Sequence, residues 1–316
     1  MFGNMFRGMI MGKGNRPDLT PEDLPSNRWA LFFAMFRIRW GKLVQLNLTF
    51  LLFLLPMVIW GGINIVTMNQ VAVGVLDGTS DASMLLSLLF FWLMVNIPLS
   101  IPAGLGQAGM AFVCRNWARD QHAWPWSDFI DTIKKNWKQA IGVSLFTSAG
   151  TYLLAVAFVQ YPTIVGSPLF GVFLQALVGV MMAMLWLIQI LIWPMMVTYE
   201  LKFGTLLRNS AVLIIARLPF AVAVGIGILL PIVAIALIPS GIVMLIGLLF
   251  YAVIGMSLTA FVSASFANAV FDRFINPRIA GAPVNQGLAP KEIDEEDAFD
   301  PDVWNQFDDT KGPKQP

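Results

Sequence analysis

The sequence predicts an all-α polytopic membrane bundle of about six transmembrane helices, with two amphipathic elbow helices on the cytoplasmic side and both termini inside. Three observations carry that prediction. Apolar residues make up 57% and charged residues 12% of 316 positions, about half the roughly 25% charged share of an ordinary soluble domain. Long apolar runs hold charges only at their ends. The cations fall on one set of alternate connections.

A hydrocarbon layer about 30 Å thick needs about 20 apolar residues per helical crossing, since each residue rises about 1.5 Å and every amide must be satisfied within its own segment. Six runs qualify: 43–68, 84–114, 139–161, 168–199, 219–238 and 241–271. The second, fourth and sixth are long enough that they must tilt, bend or protrude, and Pro98 with Pro102, and Pro194, are the expected bends. All 20 Lys and Arg residues precede the first run, lie between the second and third or the fourth and fifth, or follow the sixth. The other loops carry only Asp77 and Asp81. The positive-inside rule then places both termini in the cytoplasm, in the plasma membrane. A signal peptide is not expected, because Arg7 interrupts MFGNMFRGMIMGKG before a long apolar region develops. The chain divides into a cytoplasmic arm over 1–40, able to lie at the interface through its Phe and Met residues, a six-helix domain over 41–275 and an acidic tail over 276–316.

The passage CRNWARDQHAWPWSDFIDTIKKNWKQ, residues 114–139, holds eight charges, four tryptophans and the only histidine. Ser127 reads as an N-cap with Asp128 in the first turn. Phe129, Ile130, Ile133 and Trp137 then share a helical face that Lys134, Lys135 and Lys138 avoid, the pattern of a helix lying along the inner leaflet with its tryptophans at headgroup level. A second elbow spans 201–219, where TLLRN (205–209) echoes TIKKN (132–136). The candidate partner or lipid surface is therefore Arg115, Arg119, His122, Trp124, Trp126, Asp128, Lys134, Lys135, Asn136 and Lys138, with Arg208 and Asn209 from the second elbow. A surface-lying elbow alone and a docking site for a cytoplasmic partner both fit.

The same string, preceded by GLGQAGMAF and by LNLTFLLFLLP at 46–56, resembles the YesL-like family of bacterial integral membrane proteins, a domain-of-unknown-function family, over roughly residues 30–275. The resemblance implies a small polytopic protein associated with carbohydrate uptake and breakdown, and it supplies no catalytic residues.

The residues offer little for catalysis. Cys114 permits no intrachain disulfide, and a dyad of Cys114 with His122 would need a fold-back with no sequence support. One His and one Cys do not make a structural zinc site, and phosphate-loop, dinucleotide and HExxH patterns are absent. No enzyme activity and no cofactor are expected. The intramembrane polar set is Gln45, Asn47, Asn64, Asn96, Gln107, Gln175, Gln189 and Asn268. Such amides bond helix to helix or line a solute path, for which Asn96, Pro98, Pro102, Gln107, Gln175 and Gln189 are the candidates. NIPLSIPAGLGQAG (96–109) reads as a broken helix or as a kink with a close-packed small face. Ala221/Gly225, Ala223/Gly227 and Ala260/Ala264 have the spacing of close helix contacts, within the bundle or in a homo-oligomer. Glu200, Gly204 and Leu218-Pro219 resemble fragments of the loop by which ABC-transporter permeases rest on their ATPase, without its Glu-Ala-Ala start.

Residues 290–316 hold nine acidic and three basic side chains, a composition of disordered tails, in which Phe299, Trp304 and Phe307 suggest a short docking motif. Nucleic-acid binding is not expected at a net charge of +1 with the cations held at a lipid surface. The expected function is a non-enzymatic accessory or scaffold protein, associated with carbohydrate uptake, that docks ABC-transporter or other membrane subunits through its elbows. The alternative is a transporter or permease-like subunit for a small polar solute such as a sugar.

Overall fold

The computed structural model describes residues 24–238 and 240–289; the expected interfacial stretch before residue 24 and the acidic tail from 290 lie outside them. Two compact units are distinguished. One includes the described residues 24–27, 288 and 289, where the Ala289 N–H donates to the Pro25 carbonyl at 3.1 Å. The other is the helical body Arg28–Gly287.

Six helices of this body are long and apolar enough to cross a membrane. They are α1 (Arg28–Leu76), α2 (Ser83–Trp117), α3 (Ser127–Ile164), α4 (Pro168–Met196), α6 (Leu218–Leu237) and a last crossing built of α7 (Gly241–Phe250), a π-helical turn (Tyr251–Gly255) and α8 (Met256–Phe274). The shorter α5 (Phe203–Ala216) links α4 to α6. No strand occurs among the described residues. The chain is a multi-pass membrane protein by the length and composition of these helices, and side chains such as Leu153, Leu230 and Ile242 point outward as lipid-facing residues should.

Two helices start earlier than their apolar runs. α1 has 49 residues, about 73 Å, because Leu31, Met35, Leu43, Leu46 and Phe50 continue one buried stripe across the charged stretch Arg37–Lys42. α3 begins at Ser127 and runs unbroken to Ile164. The helical half of the first elbow is therefore the first turns of the third crossing rather than a separate helix lying on the leaflet. The reason is packing: Phe129 and Ala140 are both fully buried, which ties the two halves to the same neighbours. Ser127 makes no capping bond; instead the Asp128 carboxylate accepts the Trp124 N–H at 2.8 Å. The second elbow does form a helix of its own, α5, ended by Arg217 and followed by Pro219.

The segment 96–109 is not broken, since Pro98 and Pro102 both lie inside α2. Its small face closes the bundle. Ser100 and Gly104 on α2 meet Ala140, Ser144 and Ser148 on the antiparallel α3, with the Ser100 and Ser148 hydroxyls 2.9 Å apart. A Cβ on Gly104 would overlap Ser144, one on Gly106 would strike Phe50 and Phe53 of α1, and one on Gly109 would lie 2.8 Å from Phe129. GLGQAG is thus a two-sided seam that lets α1 and α3 approach α2 on different faces.

Asn47 does the corresponding work for the last crossing. A π turn leaves backbone groups without their ordinary α-helical partners, and in hydrocarbon no water replaces them. The fully buried Asn47 amide donates to the Tyr251 and Ala252 carbonyls at 3.0 and 2.8 Å, while its oxygen accepts the Ser257 N–H at 2.9 Å.

The small-residue pairs separate by role. Ala221 is buried, and a Cβ on Gly225 would strike Trp186 of α4, whereas Gly227 faces open space. Gly109→Ala should therefore lower detergent-solubilised stability by about 1–3 kcal/mol through overpacking, and Gly227→Ala should be neutral or raise it by about 0.5–1 kcal/mol through helix propensity. Thermal unfolding of the two variants side by side checks both values.

Candidate functional site

The described Lys and Arg residues gather at one end of the body, where α1 and α3 begin and α2, α4 and α8 end. The α2–α3 connection is fixed there by its own bonds. Trp117, fully buried, donates its indole N–H to the Ala123 carbonyl at 3.2 Å, and the Gln121 N–H returns to the Asn116 carbonyl at 2.8 Å.

A carboxylate anchors this end. Asp272, in the last turn of α8, accepts Arg28 at 2.6 Å and the Asn285 N–H at 3.2 Å, and its other oxygen accepts the Asn276 amide. Arg28 also donates to the Asn285 side chain at 2.8 Å, and the Tyr199 hydroxyl donates to Asn276 at 2.6 Å. Burial pushes the Tyr199 hydroxyl up to about 12 against the opposing pull of Arg119.

Two further arginines stand beside this network without a carboxylate in contact. Arg115 lies over the Phe112 ring at 4.8 Å and donates to the Val197 carbonyl at 2.9 Å and to Asn116 at 2.7 and 3.1 Å. Arg119 donates to Asn268 at 2.9 Å, and its buried Nη2 has no hydrogen-bond partner. Burial lowers the Arg119 guanidinium, partly offset by Asp272 and Tyr199, while Arg28 adds to the lowering.

In front of them is a groove of about 440 Å³ between the first turns of α3 and residues 196–202. Phe112, Asn136, Gln139 and Tyr199 line it, with Lys135, Glu200 and Lys202 at its rim. Gln139 donates to the Leu201 carbonyl and closes one side. Lys135 and Glu200 form an ion pair of 3.6 Å with both side chains largely exposed.

The expected surface residues thus divide. Trp124, Trp126, Lys134, Lys138, Arg208 and His122 are exposed, with His122 edge-on to Trp124 at 4.8 Å and Lys42 over that indole at 6.0 Å. Lys134 pairs with Asp131 at 3.3 Å, and Lys138 lies over Trp137 at 5.4 Å. Asn136 and Asn209 are half-buried, the former donating to the Thr132 carbonyl. Arg115 and Arg119, expected on the surface, are instead built into the bundle by their bonds to Val197 and Asn268. Cys114 is fully buried, its thiol 3.8 Å from the Ser257 carbonyl, so the structure brings no thiol–imidazole pair together. No cluster of three or more metal-ligating side chains occurs among the described residues.

The proposed solute-path amides do not converge. Gln175 donates to the Phe158 carbonyl at 3.1 Å and Gln189 to Thr147 at 2.9 Å, both from α4 to α3. Asn96 donates to Trp92 in its own helix at 2.8 Å, and Gln107 is half-buried on α2. The groove is lined by none of these residues.

Residues 84–158 match a family model described as "Protein of unknown function, DUF624". The match covers nearly all of α2, the connection and most of α3, the part of the chain that carries the glycine seam and the tryptophan-rich stretch. No curated protein and no solved structure matches the chain.

Arg28, Tyr199, Asp272, Asn276 and Asn285 were not among the expected site residues. One sequence signal points to Asp272: a carboxylate in the last turn of a helix opposes the macrodipole and implies a fixed partner. Asp272→Asn should destabilise the purified protein by about 2–3 kcal/mol, the cost of breaking a largely buried pair reduced for the partial exposure of Arg28. Chemical denaturation in micelles measures it. Because the folded state keeps Tyr199 protonated to a higher pH than the unfolded chain, its contribution is complete below pH 10 and is lost as pH rises towards 12. Tyr199→Phe should flatten the pH dependence of unfolding between those values.

Proposed function

We propose that this chain is a non-enzymatic membrane accessory or scaffold protein, oriented with both termini in the cytoplasm, that docks membrane subunits of a carbohydrate-uptake system through its cation-rich end. The observation that carries this reading is the presentation of exposed Trp126 just before, and exposed Lys134 and Lys138 on the first turns of, a helix that is also a membrane crossing. A surface fixed to a span keeps its position relative to the bilayer, which suits recognition of a neighbour in the same membrane. The resemblance of the tryptophan-rich string to YesL-like proteins supports the link to carbohydrate uptake.

The competing reading, a transporter or permease-like subunit, needs polar groups free to meet a solute. Gln175 and Gln189 are committed to neighbouring helices, which favours the scaffold. A tagged full-length chain purified in mild detergent should recover an uptake permease or ATPase subunit reproducibly, and Trp126→Ala with Lys134→Glu should reduce that recovery at least about tenfold, as expected when an anchor aromatic and a charge are both lost. Solute flux by the chain reconstituted alone, with no reproducible partner, would contradict the assignment.

A further inference from the structure

We propose that the groove between α3 and residues 196–202 is a binding site for a phosphate group. Its volume of about 440 Å³ lies in the range of small-ligand sites, roughly 300–1,000 Å³. Lys135 reaches it from α3 and Lys202 from the opposite wall. Behind the lining, Arg115 rests on Phe112 and bonds Val197, two residues of the groove itself, and Arg119 lies nearby with a buried Nη2 donor unpartnered. Neither arginine touches a carboxylate, because Asp272 is taken by Arg28.

Two cations, Lys135 and Lys202, therefore line the groove, Arg115 stands behind its wall through Phe112 and Val197, and Glu200 is the one acidic residue in the lining. Glu200 is not a lasting counter-ion for it. Its contact with Lys135 is 3.6 Å long and largely exposed, a kind of pair that contributes little and is readily exchanged. A concave surface of net positive charge backed by low-dielectric protein concentrates the field on an incoming anion. The groove also runs up to the start of α5, whose first turn has no side-chain cap and where a Cβ on Gly204 would meet nothing. Donors on two walls and at this end exceed what the two oxygens of a carboxylate can use and suit the several oxygens of a phosphate. Asn136, Gln139 and Tyr199 add polar contacts for whatever carries it. The inference is independent of the docking role, which uses the exposed Trp126, Lys134 and Lys138.

A phosphate group reaches this end of the molecule either on a soluble ester or as a lipid headgroup, and two arms distinguish them. In neutral detergent, the full-length protein is titrated with inorganic phosphate and with glycerol 3-phosphate. In nanodiscs, phosphatidylglycerol is raised against phosphatidylcholine. Tryptophan-monitored unfolding and phosphorus NMR line widths report binding in both. A saturable response should appear in at least one arm, weaken at least about tenfold in Lys135→Gln/Lys202→Gln and remain unchanged in Lys134→Gln. Response in the soluble arm identifies an ester, and response in the nanodisc arm alone identifies a headgroup. No saturable response in either arm, or one that the double variant leaves intact or Lys134→Gln weakens equally, overturns the proposal. The substituted lysines are exposed, so an unchanged unfolding midpoint without ligand verifies that each variant is folded.

Discussion

Hydrocarbon offers no hydrogen-bond partner, and this one constraint organises the molecule. Polar groups inside the bundle must find each other, and charges must leave it. Asn47 shows the first consequence. Without its three bonds to the last crossing, the π turn at Tyr251–Gly255 would present unsatisfied backbone groups to a medium that cannot solvate them. The Gln189–Thr147 and Gln175–Phe158 bonds follow the same logic between α3 and α4, so amides that resemble a polar path act as fasteners. Between them the helices close on small residues, since apolar side chains gain nothing by leaving lipid of equal polarity and only close packing and dispersion remain.

The second consequence is the crowding of cations at one end. Some are simply exposed, as Lys134 and Lys138 are, while Arg28, Arg115 and Arg119 are drawn into the bundle and need partners there. Asp272 neutralises one of them and organises Asn276, Asn285 and Tyr199 around itself. The other two are held by carbonyls, amides and an aromatic face, which satisfy geometry without supplying charge. The end of the protein therefore has a stiff exposed surface set on α3 and, behind it, a positive groove. The scaffold reading uses the former and the phosphate site the latter.

The crossings were legible because their signal is local: about 20 apolar residues in succession need no knowledge of the rest of the chain. The alternation of cations was legible for the same reason. GLGQAG was readable as either a break or a close-packed face, and the residues that decide between them, Phe50, Phe53, Phe129 and Ser144, come from two other helices. The start of α3 was misplaced as a surface helix because Lys134, Lys135 and Lys138 mark a polar face, while the burial of Phe129 that joins it to the span depends on α2. Arg115 and Arg119 look like loop cations in sequence. Their partners Val197 and Asn268 lie 82 and 149 residues away, beyond any periodic pattern. The Arg28–Asp272 pair spans 244 residues and was invisible for that reason.

In the proposed orientation the cationic connections share one aqueous compartment, the cytoplasm. In a Cys114→Ser background, single cysteines at Lys134→Cys, Lys202→Cys and Thr79→Cys can be exposed to a membrane-impermeant thiol reagent in intact cells and in inverted vesicles. With that orientation, positions 134 and 202 react only in inverted vesicles and position 79 only in intact cells. Reaction of 134 or 202 from outside, or of all three from the same side, would contradict it.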